Sequence, residues 1–121
     1  MVNRSEIGRK GEEIAREFLQ KKGYTILDNN WHWHHFELDM VAIDGEWLVV
    51  VEVKTRAMDH LLSPEDAVDR KKIRRTVLAA DAYARYFSIE LPVRFDIVTV
   101  VPGPQGYEIE HYEDAFLPPV R

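Results

Sequence analysis

Two β-rich runs, residues 36–43 and 46–56, flank the dipeptide Asp44-Gly45, and this arrangement constrains the fold more than any other stretch of the chain. Asp-Gly between such runs favours a two-residue type I′ hairpin turn, because glycine accepts positive φ without steric cost. With that turn Ile43 faces Glu46, and stepping outward places Asp39 opposite Val50 and Glu37 opposite Glu52. Alternate residues of a strand share a face. Glu37, Asp39, Glu52 and Lys54 are therefore expected on one side, and Leu38, Met40, Ala42, Val49, Val51 and Val53 on the other, where a core would cover them.

Three acids and a lysine on one sheet face need an explanation. Opposed side chains start about 5 Å apart and diagonal ones about 7–8 Å apart, so Asp39 and Glu52 can reach one ion between them. Without a cation or a proton they repel. Mg2+ fits such a pair, because it takes oxygen ligands, accepts one or two carboxylates and keeps sites for water and phosphate oxygens. The carbonyl of Val53 can add a ligand. Lys54, two residues after Glu52, returns to the same face, where its ammonium can orient a water nucleophile and stabilise charge on a pentacovalent phosphorus. The plainer alternative is a surface ion pair between Glu52 and Lys54; Asp39 on the paired strand and the flanking valines weigh against it.

Around the hairpin the pattern reads α-β-β-β-α-β-β. Over residues 5–22, Ile7, Ile14, Ala15, Phe18 and Leu19 recur at helical spacing, and Gly23 follows as a C-terminal cap. Residues 24–33 read as a strand in their first half. Ser63-Pro64-Glu65-Asp66 starts a second long helix, with serine as cap, proline at the first position and acids at the positive end of the dipole. Its buried stripe is expected at Ile73, Val77, Ala80, Ala84 and Phe87. Residues 93–101 and 107–112 read as strands around a Pro-Gly turn at 102–106, and the tail 117–121 as irregular. The expected fold is α/β, a central mixed sheet flanked by helices, with residues 1–121 forming one domain. A chain of 121 residues can bury roughly two-thirds of its unfolded surface around one core.

Composition limits the function classes. With no cysteine the chain can form neither disulfides nor a thiolate zinc site, and it has no signal-peptide pattern and no apolar run long enough to span a bilayer. A cytoplasmic protein without membrane association is expected. A net charge of −5 argues against a protein that coats nucleic acid. The segment Arg70-Lys71-Lys72-Ile73-Arg74-Arg75 is nevertheless densely basic, which suits an enzyme touching a few phosphates, or else a solvated helix face. His32, His34 and His35 could bind zinc, but no further ligands stand at a familiar spacing. Trp31 and Trp33 can stack on bases or pack at the core rim, and Asp96 is expected to pair with Arg94.

The spacing of Asp39, twelve residues, then Glu52-Val53-Lys54 resembles a degenerate PD-(D/E)XK nuclease signature, with Leu38 at the proline position. The chain more closely resembles the YraN-like family of small bacterial endonuclease-related proteins, itself similar to archaeal Holliday-junction resolvases. Four blocks carry the likeness: Gly8-Arg9-Lys10-Gly11-Glu12 with Ala15; Gly23-Tyr24 through Asn30-Trp31; Glu37-Leu38-Asp39 through Glu52-Val53-Lys54-Thr55-Arg56; and Ala67-Val68 with Lys72 ahead of Arg94-Phe95-Asp96.

The resemblance implies a restriction-endonuclease-like fold and a Mg2+-dependent endonuclease, with Mn2+ as a substitute, acting on DNA, including branched or damaged DNA. In it Asp39, Glu52 and the Val53 carbonyl hold the metal, Lys54 is the catalytic lysine, Glu12 joins the acid cluster, and Lys72 is an accessory cation. Arg9, Arg56, Lys72, Arg74 and Arg75 are the expected DNA contacts, and a homodimer is expected from the junction-cutting relatives. The alternative is a catalytically weak nuclease-fold module that binds DNA or a partner protein in DNA processing. Two positions depart from the pattern: Phe36 replaces a glycine, and His32 replaces an arginine, exchanging a permanent charge for one that depends on pH.

Overall fold

The computed structural model describes residues 4–55 and 70–115, with side chains from Gly8 onward. The elements run α1 (Arg4–Lys21), β1 (Thr25–Trp33), β2 (Phe36–Asp44), β3 (Trp47–Thr55), α2 (Arg70–Tyr86), β4 (Val93–Gly103) and β5 (Gly106–Tyr112). The five strands form one sheet in sequence order. Neighbours are antiparallel except β3 and β4, which are parallel. A parallel pair needs a crossover, and α2 lies on that connection. The fold is α/β with a mixed sheet, as expected of a restriction-endonuclease-like protein.

Among the described residues, each face of the sheet is covered by one helix. On the first, Ala15 and Leu19 of α1 are buried with Tyr24, Met40, Ala42, Val49, Val51, Val98 and Val100. On the second, Ala79, Ala80 and Tyr83 of α2 are buried with Leu38, Val41, Leu48, Val50 and Phe95. Burial on both faces accounts for the unbroken apolar run at 48–51, since a strand with only one covered face would alternate with polar residues. Gly23, at φ 101°, ends α1. The Tyr24 N–H donates to the Leu19 carbonyl and the Gly23 N–H to the Gln20 carbonyl, both at 3.0 Å, which is the Schellman pattern. Gly11 lets α1 approach β3: a Cβ there would lie 2.0 Å from Thr55 Oγ1.

Several expectations are corrected. The hairpin pairs Asp44 with Trp47 and Met40 with Val51, so its loop is Gly45-Glu46 and not Asp44-Gly45. Gly45 has φ 60° and Glu46 does not share the positive region, the pattern of a II′ turn, whereas I′ needs both central residues there. Asp44 stays in the strand, where its carboxylate meets Arg94 Nη1 at 3.1 Å. Continuing this register, Asp39 comes level with Glu52 rather than Val50. Leu38 packs on the α2 side, away from Met40. β1 extends through Trp33, because His32 and Trp33 find partners in Glu37 and Phe36.

The buried line of α2 is Thr76, Ala79, Ala80 and Tyr83, with Val77 and Ala84 at its flank and Phe87 exposed beyond the helix end. Apolarity alone misses this line because two of its members carry hydroxyls. Thr76 Oγ1 donates to the Lys72 carbonyl at 2.8 Å and Tyr83 Oη to Asp28 Oδ2 at 2.7 Å, and burial is tolerated once such groups are bonded. The helix start expected at Ser63-Pro64, the tail and Arg56 lie outside the described residues. Among the described residues, no helix is long and apolar enough to cross a membrane.

Candidate functional site

β2 and β3 stop pairing after Met40 and Val51, and the site lies in the fork beyond. Between the pairs Asn29–Met40 and Trp31–Leu38, Asn30 takes φ 53°, and the strand pair turns enough to send Leu38 to one core and Met40 to the other. Asp39 sits at that switch. Its Oδ2 accepts the Val53 N–H at 2.9 Å. In an extended strand the N–H and C=O of one residue leave from the same edge, so the Val53 carbonyl also faces the Asp39 side.

Glu52 lies beside Asp39, and its Oε1 receives two ammonium groups: Lys54 Nζ, from the same strand, at 3.1 Å, and Lys72 Nζ, from α2. Glu12 of α1 is tied to the fork by Asn30, whose Nδ2 donates to Oε2 at 3.0 Å. Sequence reasoning gave Asn30 no role; only its neighbour in space, Glu12, reveals one. The structure thus brings together Glu12, Asp39, Glu52, Val53, Lys54 and Lys72 from α1, β2, β3 and α2.

The electrostatics show what is unresolved in this group. Desolvation, followed by repulsion from Glu52 and then Glu12, pushes Asp39 up to about 6, against the opposing effects of the Val53 N–H and Lys72. Burial, then contact with Lys72, holds Lys54 below the usual lysine range. Lys72 is also desolvated, but its bond to Glu52, its contact with Lys54 and the charges of Glu52 and Asp39 together outweigh that and keep it above the ordinary value. A half-buried acid held partly protonated next to a second acid is the charge pattern that a hard cation relieves. Two carboxylates and a strand carbonyl therefore fit an ion such as Mg2+. Among the described residues no three His, Cys, Asp or Glu side chains form a ready cage, so water and substrate oxygens would have to complete the shell, as is usual for Mg2+.

Other predicted residues lie apart. Glu37 leaves the cluster expected of it: its Oε2 meets His32 Nε2 at 3.1 Å on the exposed surface. The repeat that should have aligned it with Asp39 is broken by the switch between Leu38 and Met40. Arg9, Arg74 and Arg75 are exposed. His32 Nδ1 also bonds the Asn30 carbonyl at 2.9 Å, and His34 lies edge-on to Trp33 at 4.6 Å. The three histidines do not meet in a metal cage. Trp31 packs edge-on against Tyr83 at 5.2 Å, while Trp33 stacks on Phe36 at 5.5 Å.

A second charged cluster centres on Asp96, which is fully buried on β4. It accepts hydrogen bonds from Arg94 Nε at 2.9 Å and Nη2 at 3.0 Å, from His111 Nε2 at 2.8 Å, from the Asp114 N–H at 3.0 Å and from Tyr24 Oη at 3.3 Å. Lys22 Nζ lies 2.8 Å from His111 Nδ1. An ammonium only donates, so Nδ1 accepts and the ring proton is on Nε2, facing Asp96. The expected pairing of Asp96 with Arg94 is present, within a larger network.

Residues 11–100 match the uncharacterised protein family UPF0102. A UPF0102 protein of Parabacteroides distasonis is 60% identical over 121 residues, covering all of both chains. One of Bacteroides thetaiotaomicron is 48% identical over 120 residues, 99% of each, and one of Flavobacterium psychrophilum is 42% identical over 116 residues, 96% of this chain and 98% of the relative. The chain belongs to the uncharacterised protein family UPF0102, the same family as the YraN-like proteins.

Proposed function

We propose that the protein is a metal-dependent endonuclease that hydrolyses DNA phosphodiester bonds, with branched or damaged DNA as its substrate. The observation that carries this reading is the fork itself, where Asp39, Glu52 and the Val53 carbonyl edge converge beside the buried Lys54. Asp39, Glu52 and Val53 would hold Mg2+ or Mn2+, which when bound supplies Lewis-acid chemistry at a phosphate. Lys54, anchored by Glu52 within the sheet, holds an ammonium where negative charge develops during attack on phosphorus. Such a preorganised donor costs no reorganisation at the moment of reaction. Glu12, fixed by Asn30, adds a third acid that can position water or a second cation. Lys72, Arg74 and Arg75 present phosphate-binding charge from α2, and Arg9 does so from α1.

The test is cleavage of linear, nicked, flapped and four-way DNA, with and without Mg2+ or Mn2+. Asp39→Asn, Glu52→Gln and Lys54→Ala should each lose at least about a hundredfold in rate, the scale seen when one preorganised electrostatic group is deleted. DNA affinity in Ca2+ should fall far less for Lys54→Ala than its rate does. A second reading, a nuclease-fold module that binds DNA or a partner protein with little turnover, is favoured by one observation: Glu52 Oε1 is already engaged by two lysines. Binding of DNA in Ca2+ with no cleavage of any substrate in Mg2+ or Mn2+ would select it.

A further inference from the structure

Two ammonium groups meet on one Glu52 carboxylate oxygen, and they differ in how they are held. The Lys54 side chain is 11% exposed and fixed within β3, whereas that of Lys72 is 41% exposed and reaches in from α2; the Glu52 side chain is 15% exposed. Near α2's first turn, Arg70, Lys71, Arg74 and Arg75 are all exposed, so anions approaching this end of the helix meet a concentrated positive field.

We propose that Lys72 is a movable counter-ion that occupies Glu52 in the metal-free protein and passes to a substrate phosphate when a divalent cation takes Glu52. The inference rests on the metal-dependent reading above and adds to it a coupling between metal and DNA. A dication between Asp39 and Glu52 would repel both lysines. The Lys54 side chain is nearly enclosed within the sheet, while that of Lys72 reaches in from the solvent side. Its freed ammonium then faces the surface where phosphate oxygens arrive. Lys72 therefore competes with the metal for Glu52, and metal binding releases it for DNA.

The experiment is calorimetric titration of Mn2+ and of Ca2+ into the parent, Lys72→Met and Lys72→Arg, with thermal melts in EDTA to show that each is folded. Removing the competing charge in Lys72→Met should tighten metal binding about three- to tenfold, the effect of one partly screened charge, while Lys72→Arg should stay near the parent. Duplex DNA affinity measured in EDTA and in Ca2+ supplies the second readout. The factor by which Ca2+ raises DNA affinity should shrink several-fold in Lys72→Met, because coupling between two ligands is reciprocal. If Lys72→Met fails to fold, Lys72→Gln reads the same quantities. Metal binding that is unchanged or weaker in the folded variant overturns the proposal and leaves the endonuclease reading standing. A parent that binds neither Mn2+ nor Ca2+ overturns both.

Discussion

Asp96 and Asp39 are aspartates on the same sheet with opposite surroundings. Asp96 accepts five hydrogen bonds, from Arg94 twice, His111, Tyr24 and the Asp114 backbone. Desolvation would raise its pKa, but those from His111, Arg94 and the Asp114 N–H overcome it and hold Asp96 down at about 2. Asp39 accepts one backbone N–H and faces Glu52 and Glu12. A charge buried in the fold is stable where donors surround it and costly where it meets its own sign. The Asp96 network thus serves stability, and the Asp39 cluster forgoes it.

The largest effect should come from breaking the satisfied cluster. Asp96→Ala leaves the buried Arg94 guanidinium with only the more exposed Asp44 and Glu113 as acidic partners among the described residues, and it removes the acceptor of His111 and of the Asp114 N–H. Loss of one partner from such a buried pair costs about 3–5 kcal/mol. Urea denaturation of the variant should read that loss; a change under 1 kcal/mol would remove the contrast on which the comparison rests.

The pH dependence should have opposite signs in the two places. The Asp96 pKa is depressed from 3.8 to about 2, so its contribution, about 2 kcal/mol by linkage, is complete above pH 4 and is lost as pH falls through 2. The Asp39 pKa is raised from 3.8 to about 6. Its contribution is complete below pH 4 and is lost as pH rises through 6. Stability curves of the parent and Asp39→Asn in EDTA should therefore diverge between pH 4 and 7, and identical curves would refute the assignment.

At pH 8 without metal, Asp39→Asn removes a repelled charge and should raise Tm by about 2–5 °C, the shift expected for roughly 1 kcal/mol in a chain of this size. A variant that loses activity and gains stability would identify Asp39 as functional; a lower Tm would make it structural.

The smallest expected effect lies away from both clusters and calibrates them. α2 ends as α1 does, with the Ile89 N–H donating to the Ala84 carbonyl at 2.8 Å and the Ser88 N–H to the Arg85 carbonyl at 3.2 Å, but its cap residue at φ 54° is Ser88 rather than glycine. Ser88→Gly should stabilise by about 0.5–1 kcal/mol, since only glycine takes that region without strain. Unchanged stability would show that the serine bears no strain there.

Element order, the Gly23 cap and the shared face of Asp39, Glu52 and Lys54 were legible in the sequence because each follows from local chemistry or from a period of two. The turn lies one residue later than expected, and moving a two-residue loop by one position changes every opposed partner by two, which preserves parity; Leu38 and Glu37 nevertheless leave their expected faces at the switch beside Asp39. Identity of the partner was not legible. That Asp39 meets Glu52, that Leu38 and Met40 enter different cores, that Glu37 turns to His32 and that Lys72 reaches Glu52 all depend on the bend at Asn30 and on where α2 packs. The Asp96 network gathers residues 24, 94, 96, 111 and 114, which only the folded sheet brings together. Local patterns determined which side chains could face one another; long-range packing, whose energy is spread over the helices and the whole sheet, decided which ones do.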